Sequence, residues 1–479
     1  MNPSPKKVAI VGGGISGLAT AYALTKKMPD VELTLVEASN RMGGVLLTEK
    51  IGDYLIEHCA DNFITNTPWA IDLCKDLQFE DELLMSNPEH RRAFVIANGR
   101  LEPIPKGFMV MAPTQISSLL TTRILSWPGK LRLLGEYFVK AKKEVTDESL
   151  QSFATRRFGK ETYEKLIQPL VGGIYTADPT RLSIHATMPR FPKMEKESGS
   201  LVRATLKSRK QYQNEAGVRY SMFVAPRNGM SSLIQKLDEA MPTLKRQTDT
   251  AATSATFLED CKKWALTYRH KGQEKEECYD GLVVATPSYH AAQILAPTSP
   301  SLCEKLAKIE YASCAVAVLV YKKTQIEHPL DGFGFVAPLC ENREILSGSF
   351  ASVKFSGRAP DDEVIIRCFI GGACQAELLE RTDDQLFEIA QRELTDLLKI
   401  SGSPRLQKMV RWHKKMPQYH LGHEKLVAKI EQEVSQKPGL ELAGNAYYGV
   451  GIPNCIDSGQ RAAEKMAAYL GGSHLEPVG

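Results

Sequence analysis

The feature that most constrains this chain lies within its first forty residues. A short apolar strand, Lys7–Val11, leads into Gly12-Gly13-Gly14-Ile15-Ser16-Gly17, and helical periodicity follows over residues 15–26. The glycines at 12, 14 and 17 fit G-x-G-x-x-G: the first permits a tight turn, the second lets backbone N–H groups approach a pyrophosphate, and the third lets the helix lie close to the strand. The positive end of the helix then faces the phosphates.

An acidic residue completes this pattern. Glu37 follows a second strand, Glu32–Val36, and its carboxylate is placed to accept both ribose hydroxyls of a dinucleotide. The next residues, Arg41-Met42-Gly43-Gly44, give the form E-x-x-x-R-x-G-G. An arginine beside the pyrophosphate and a glycine pair beneath it suit a large cofactor in an extended groove. The sequence therefore predicts FAD, with Glu37, Arg41, Gly43 and Gly44 among its contacts.

A second glycine-rich segment lies at the other end of the chain. Residues 442–453 (LAGNAYYGVGIP) indicate a strand, a loop and the start of a helix from about Cys455, with Ser458 and Gly459 in its first turn. Such a junction favours anions and flavins. We expect Asn445, Val450, Gly451 and Ile452 to contact the same cofactor, so that one domain is assembled from both ends of the chain.

The order of the elements predicts an α/β fold with α+β insertions. We expect a Rossmann-like FAD-binding domain assembled from discontinuous segments, a mixed-sheet substrate domain and a helical, membrane-associated domain. The helical expectation rests on residues 123–210, which are rich in Leu, Lys, Arg and Glu. The expected boundaries are 1–90, 218–297 and 405–479 for the FAD-binding domain, 91–106 and 298–404 for the substrate domain, and 107–217 for the helical domain.

Composition matters mainly for what it excludes. A formal charge of +4 is small for 479 residues and does not indicate nucleic-acid binding. The ten cysteines include no Cys-x-x-Cys pair, so they predict no zinc site and no disulfide framework. No uncharged apolar run reaches the roughly 18 residues of a spanning helix, and residues 1–7 leave no room for a signal peptide. We expect a cytoplasmic protein.

Residues 107–122 (GFMVMAPTQISSLLTT) form an uncharged segment that is followed by Arg123, Lys130 and Arg132. This pattern suits a segment at a bilayer interface. A substrate-entry lid or an ordinary core helix suits it equally well. We expect peripheral contact with the inner face of the cytoplasmic membrane.

Four segments resemble the FAD-dependent porphyrinogen oxidases of haem biosynthesis, which lie within the flavin amine oxidase superfamily. They are residues 444–459 (GNAYYGVGIPNCIDSG), 170–183 (LVGGIYTADPTRLS), 416–423 (MPQYHLGH) and 56–65 (IEHCADNFIT). The resemblance implies six-electron oxidation of protoporphyrinogen IX or coproporphyrinogen III, with dioxygen as acceptor. The flavin accepts hydride, and the protein supplies position and shape.

The resemblance also implies roles for individual residues. Gly173 would place its backbone carbonyl beside the pyrrole N–H groups, and Arg92 would bind a propionate. Phe333, Val336 and Phe369 would form walls around the macrocycle. Further cofactor contacts are implied at Asp61, Asn62 and Ala252. This chain departs from many relatives at Cys59, where they have glycine, and at residues 250–253 (TAAT).

Several alternatives stay open at this point. The substrate carries two propionates in one case and four in the other, and the second demands a more basic pocket; the candidate cations in the middle of the chain are Arg156, Arg157, Lys193, Arg203, Lys207 and Arg209. Another flavin amine oxidase, a carotenoid desaturase or a non-catalytic escort protein would share the motifs. We expect noncovalent FAD in spite of Cys455, no metal at His420 and His423, and a homodimer or transient contact with the next haem-pathway enzyme.

Overall fold

A computed structural model describes residues 5–113, 116–142, 146–212 and 222–472 of the chain. A five-stranded parallel sheet forms the centre of its cofactor-binding part. The order of its strands is Lys245–Gln247, Glu32–Val36, Lys7–Val11, Gly281–Val284 and Leu440–Leu442. Three separated parts of the chain therefore supply one sheet. This confirms the prediction of a Rossmann-like unit assembled from discontinuous segments.

Both faces of this sheet are covered, as a parallel sheet requires. Side chains such as Ile10 and Leu35 pack on one face against the helices Ile15–Lys27, Trp69–Asp76, Met230–Glu239 and Ile452–Leu470. Ala9 and Val284 pack on the other face against the antiparallel sheet Thr250–Leu258, Lys263–His270 and Gln273–Tyr279 and the helices Ser288–Leu295, Pro300–Ala307 and His423–Val434. Smaller strands adjoin this unit at Thr48–Ile51, Tyr54–Glu57, Phe63–Ile64, Leu83–Met85 and Phe223–Pro226.

A seven-stranded mixed sheet forms the second part. Its order is Leu406–Pro417, Tyr311–Lys322, Glu363–Gly371, Ser347–Phe350, Gly334–Val336, Phe94–Ala97 and Arg100–Pro103. Every pair is antiparallel except that of Gly334–Val336 with Phe94–Ala97. Even-numbered residues of the strand Glu363–Gly371, such as Ile366 and Cys368, pack on helix Asp383–Leu398. The opposite face, with Ile365 and Phe369, turns toward Ile56 of the cofactor-binding part.

The third part is helical, as the composition of residues 123–210 predicted. Its helices are Ile116–Thr121, Trp127–Leu134, Leu150–Phe158, Lys160–Thr162, Gln168–Tyr175, Ile184–Thr187, Arg190–Ser198 and Leu201–Tyr212, with a π-helical turn at Tyr163–Ile167. Two short strands, Phe108–Met109 and Ala112–Pro113, precede them. No helix of the described residues is long and apolar enough to span a bilayer.

Two of the candidate basic residues are held inside this helical part. Arg157 is fully buried and pairs with Glu136 and Glu195, and Arg156 pairs with Glu148 and Glu195. Carboxylates of the protein already neutralise these two guanidinium groups. Arg156 and Arg157 therefore stabilise the helical packing and are not free to bind a propionate. Lys193, Arg203 and Lys207 are exposed, and the side chain of Arg209 lies outside the described residues.

The structure differs from the sequence-based boundaries in two places. Leu406–Pro417 is the edge strand of the seven-stranded sheet, so this sheet extends past the expected boundary at residue 404. The charged residues of this segment obscured the strand in the sequence, because one face of an edge strand is exposed to solvent. The last helix begins at Ile452, because Pro453 is well tolerated in a first turn, and Ser458 and Gly459 therefore lie in its second turn. Residues 114–115 of the uncharged segment and the expected strand start at Val218 lie outside the described residues.

Candidate functional site

The first glycine loop has the geometry that a pyrophosphate requires. Gly12 has a φ of +109°, and a Cβ there would lie 2.7 Å from the carbonyl oxygen of Ala285. A Cβ on Gly17 would collide with the carbonyl oxygen of Gly12, so the helix lies as close to the strand as the pattern predicted. A Cβ on Gly14 would meet no protein atom within 4 Å. The backbone at Gly14 therefore borders open space.

Glu37 is fixed at the end of its strand by three donors. Its Oε2 accepts from the backbone N–H of Gly13 at 2.7 Å, and its Oε1 accepts from the N–H and hydroxyl of Ser39 at 2.8 and 2.7 Å. An ionised carboxylate has about four acceptor sites. One site thus remains for a ribose hydroxyl, where the sequence predicted that the carboxylate would accept two, because Gly13 and Ser39 already occupy the others.

Arg41 holds the glycine pair that follows it. Its guanidinium donates to the carbonyl oxygens of Gly44 at 2.6 Å and Leu46 at 3.1 Å. Burial lowers the pKa of Arg41, which nearby Glu37 partly offsets. The N–H of Gly43 donates to the carbonyl of Gly13 at 2.8 Å and so ties this turn to the first loop. Arg41 therefore shapes the turn through the backbone.

The C-terminal glycine loop is held by one buried tyrosine. The hydroxyl of Tyr419 donates to the carbonyl of Asn445 at 2.6 Å and accepts from the N–H of Gly449 at 2.8 Å. The N–H of Gly444 donates to the hydroxyl of Ser458 at 3.0 Å. Strand end, loop and last helix thus form one rigid unit.

The two glycine loops meet because their helices pack in close contact. A Cβ on Gly459 would collide with the carbonyl of Ser16, and the hydroxyl of Thr20 donates to the carbonyl of Gly459 at 3.1 Å. Neither helix has a side-chain cap at its first turn, where Gly14 and Gly451 are the N-cap residues. Each start therefore presents unpaired N–H groups, which favour an anion.

A cavity of about 630 Å³ lies between these elements. The expected cofactor residues that line it are Gly12, Gly14, Ile15, Ser16, Glu37, Arg41, Gly43, Gly44, Ala252 and Asn445. The expected residues of the two glycine loops that do not line it are Gly13, Gly17, Val450, Gly451 and Ile452, of which the last three stand at the start of the last helix. A groove with a ribose acceptor at Glu37 and N–H donors along one side fits an extended dinucleotide such as FAD.

Sequence reasoning missed part of this lining. Trp412 and Lys415 also line the cavity, although three positions separate them and a regular strand would point them to opposite faces. A bulge explains this: the register with Tyr311–Lys322 shifts here, and Lys414 adopts a φ of +47°. The indole of Trp412 donates to the carbonyl of His58 at 2.8 Å. A bulge has no sequence pattern that would have identified these residues.

Asp61 and Asn62 lie in a buried cluster and do not line the cavity. The carboxylate of Asp61 is 3.5 Å from Nζ of Lys354 and 3.4 Å from a guanidinium nitrogen of Arg367, and the amide of Asn62 donates to it. Burial would raise the pKa of Asp61, but the two cations outweigh burial and hold it at about 2. The guanidinium of Arg367 also donates to the carbonyl of Cys59.

The residues expected around a macrocycle occupy the sheet and the adjoining helix. Gly173 lies in the last turn of Gln168–Tyr175, and a Cβ there would be 3.4 Å from Cγ1 of Val336. Phe369 is half-buried on the sheet face that turns toward the cofactor-binding part. Phe333 is half-buried, and its N–H donates to the carbonyl of Arg92 at 2.8 Å. The guanidinium of Arg92 is half-exposed and pairs with Asp331, so a propionate would have to share or displace that partner.

The sequence predicted neither metal binding at His423 nor covalent attachment of the flavin at Cys455. His423 stacks on Tyr419 with a centroid separation of 4.0 Å, and its Nε2 meets the carbonyl of Tyr447 at 3.1 Å. Burial lowers the pKa of His423 to about 4, so the ring is neutral. Among the described residues no group of His, Cys, Asp and Glu could hold a metal ion. Cys455 is buried, and burial raises its pKa to about 12, which disfavours the reactive thiolate.

The sheet, the paired glycine loops and the dinucleotide-shaped cavity together define the class of flavin-dependent oxidoreductases. The model of the family described as flavin containing amine oxidoreductase matches residues 15–467. The chain belongs to this family, and FAD is its cofactor.

Relatives and a solved structure agree with this assignment. The chain is 31% identical over 477 residues to the coproporphyrinogen III oxidase of Bacillus subtilis (strain 168), covering 98% of this chain and 100% of that protein. It is 30% identical to the chloroplastic protoporphyrinogen oxidase 1 of Spinacia oleracea, covering 96% and 84%. A crystal structure from Exiguobacterium sp. 255-15, provisionally named a protoporphyrinogen oxidase, superposes with a TM-score of 0.85 at 27% identity, covering 96% and 98%.

Proposed function

We propose that this chain is an FAD-dependent oxidase that converts a porphyrinogen to the porphyrin in haem biosynthesis, with dioxygen as the final acceptor. The observation that carries the proposal is the packing of the helix end at Gly173 against Val336, two residues that the resemblance assigns to the substrate site. Whole-chain similarity to relatives named for porphyrinogen oxidation supports it. Each substrate molecule loses six electrons in three two-electron steps, and each step reduces one dioxygen to hydrogen peroxide.

The bound FAD would supply the two-electron chemistry, and the residues of the chain would position the substrate. Backbone carbonyls in the last turn of a helix lack intrahelical partners, so the carbonyl of Gly173 is suited to accept from pyrrole N–H groups. Val336, Phe333 and Phe369 would contact the flat apolar ring. Arg92 would bind a propionate at the exposed rim in exchange for part of its pairing with Asp331.

Cofactor contacts follow from the cavity. Gly14 and the start of helix Ile15–Lys27 would hold the pyrophosphate, and Glu37 would hold the ribose next to Ala252. Asn445, with the loop up to Ile452, would hold the flavin end. Because the Cys455 thiol is buried and protonated, we propose noncovalent attachment.

The experiment that tests this function is anaerobic mixing of the purified holoprotein with protoporphyrinogen IX and, separately, coproporphyrinogen III. We expect at least one of them to bleach the flavin absorbance and to release porphyrin fluorescence after air is admitted. Cyclohexylamine and a polyene serve as matched controls for an amine oxidase or a desaturase. A flavin that stays oxidised with both porphyrinogens would refute the proposal, and bleaching by the amine or polyene alone would assign one of the other two activities.

We also propose a cytoplasmic location with peripheral contact to anionic lipid through an apolar face of the helical part. Trp127 and Leu131 lie four positions apart on one helix, and Phe138 follows in the next turn; they are 65%, 67% and 82% exposed. Exposed Arg123 and Lys140 precede and follow these residues in sequence. Large apolar side chains beside basic ones suit the interface of an anionic membrane.

Co-sedimentation with vesicles tests this contact. The Trp127→Ser, Phe138→Ser double variant should lose binding to anionic vesicles, whereas Leu421→Ser, at an exposed leucine outside the patch, should retain it. Equal binding by both variants would contradict the proposal. A dimer that forms without lipid and is lost only in the double variant would assign the face to a second copy of the chain.

A further inference from the structure

The buried cluster around Asp61 carries more positive than negative charge. Lys354 and Arg367 share this one carboxylate, and all three side chains are at most 12% exposed. Lys354 lies over the rings of Phe223 and Phe355, with its Nζ 5.2 and 5.5 Å from their centroids. Apolar rings therefore shield the ammonium group from water and supply no countercharge.

Two further charged groups face this cluster from neighbouring segments. Arg358 is 2% exposed and donates to the carbonyls of Pro226 and Arg227 at 2.7 Å each. Glu57 accepts from the N–H of Met230 at 2.8 Å, and burial raises its pKa to about 7. Near neutral pH, three cations thus oppose one full and one partial negative charge.

The cluster also contains polar atoms without hydrogen-bond partners. Nε of Arg367 and Oδ2 of Asp61 are buried, and neither has a partner among the described residues. A buried guanidinium normally has its donors paired and its charge compensated. Nε of Arg367 thus lacks an acceptor, and the excess positive charge of the cluster makes an anionic acceptor the fitting one.

The position of the cluster indicates which anion that is. Arg367 and Phe369 are two positions apart on the strand Glu363–Gly371 and point to the same face. The guanidinium carbon of Arg367 lies 5.3 Å from the ring centroid of Phe369, and the proposed function makes that ring a wall of the macrocycle site. A carboxylate at the rim of a macrocycle bound there would supply the negative charge that the cluster lacks.

We propose that Lys354 and Arg367 bind a propionate carboxylate of the porphyrinogen, and that they favour a substrate with four propionates over one with two. This inference rests on the proposed function. It gives the substrate a second carboxylate-binding site, in addition to the one proposed at the exposed Arg92. Lys354 supplies the free ammonium donors, and Arg367 supplies its unpaired Nε–H. Asp61 positions both cations.

Steady-state kinetics of the FAD-loaded protein with coproporphyrinogen III and protoporphyrinogen IX test the site. Lys354→Met should raise KM for coproporphyrinogen III about tenfold, the loss of one charge-assisted hydrogen bond, and kcat should change by less than about threefold. KM for protoporphyrinogen IX should rise less. Lys354→Arg should restore most of the discrimination, because it keeps the charge.

The control is Lys408→Met, at a lysine of the same sheet that is paired with Glu49 and lies outside the cluster. Flavin content and the flavin midpoint potential are measured for every variant, which separates carboxylate binding from an electrostatic effect on the cofactor. An unchanged KM ratio, or a lowered midpoint potential with unchanged KM, would overturn the proposal. A wild-type protein that oxidises neither porphyrinogen would instead overturn the proposed function.

Arg367→Lys provides a second variant. It keeps the charge but removes the planar donor set, so we expect a loss of discrimination smaller than that of Lys354→Met. Equilibrium binding of the product coproporphyrin III, followed by fluorescence quenching, should weaken in the same order. Product binding that is unchanged in both variants would count against the site even where kinetics are altered.

Discussion

Replacement of Gly14 by alanine is expected to weaken FAD binding without lowering the stability of the apoprotein. The backbone at Gly14 has φ −68° and ψ 175°, which any residue adopts, and its added Cβ would meet no protein atom within 4 Å. The methyl group would enter only the cavity that FAD occupies. The apoprotein should therefore be as stable as the wild type, or slightly more stable, because alanine restricts the unfolded chain.

The expected loss of affinity follows from the contacts that the methyl group would displace. A pyrophosphate oxygen moved away from the start of helix Ile15–Lys27 loses at least one charge-assisted hydrogen bond, worth about 1.5–3 kcal/mol. That corresponds to a rise in the dissociation constant of FAD of roughly ten- to a hundredfold.

Gly17→Ala is the matched variant with the opposite pattern. Its Cβ would collide with the carbonyl oxygen of Gly12, so the apoprotein itself should lose about 1–3 kcal/mol of stability. FAD titration and thermal unfolding of the apoproteins measure both effects, with Gly135→Ala as a control whose Cβ has free space. Wild-type FAD affinity in Gly14→Ala would refute the placement of the pyrophosphate.

Three further predictions concern the loop, the substrate and pH. Tyr419→Phe leaves the buried carbonyl of Asn445 and the N–H of Gly449 unpaired, so thermal stability should fall by about 1–3 kcal/mol and FAD should bind more weakly; unchanged values would contradict the role of this hydroxyl. Gly173→Ala should fold and bind FAD normally, because its Cβ makes only an ordinary contact with Val336, yet porphyrinogen turnover should drop at least tenfold; full turnover would exclude a close approach there. Glu57 has its pKa raised by burial to about 7 from 4.5, so the folded chain retains a proton that the unfolded chain loses, and stability should decline between pH 4.5 and 7. Glu57→Gln should reduce this pH-dependent loss in the free energy of unfolding by up to about 3 kcal/mol, measured by thermal unfolding at a series of pH values. A pH dependence that is the same in the variant and the wild type would disprove the raised pKa of Glu57.

The cofactor-binding half of the site could be predicted because its chemistry is local. Gly12, Gly17 and Glu37 act within one turn or one strand end, where spacing determines geometry. The strands Lys7–Val11 and Glu32–Val36 have the predicted bounds. The sequence predicted that the C-terminal loop and the first loop bind the same cofactor. It did not predict the contact between Gly459 and Ser16 through which the two helices pack.

The remainder depends on contacts that spacing does not encode. Trp412 and Lys415 line the cavity only because a bulge at Lys414 turns both toward it. Arg156 and Arg157 are candidate propionate partners in the sequence, yet Glu136, Glu148 and Glu195 neutralise them inside the helical part. Lys354 and Arg367 are far from Asp61 in sequence, so only the folded chain brings their charges together.

Titration of FAD into the apoprotein tests most directly whether the two terminal glycine loops build one site. We expect a stoichiometry of one FAD per chain, complete release of the flavin on heat denaturation, and weakened binding when either Gly14 or the Tyr419-held loop is altered. An apoprotein that takes up no FAD in excess, or one whose affinity is unaffected by changes at one of the two loops, would contradict a shared site.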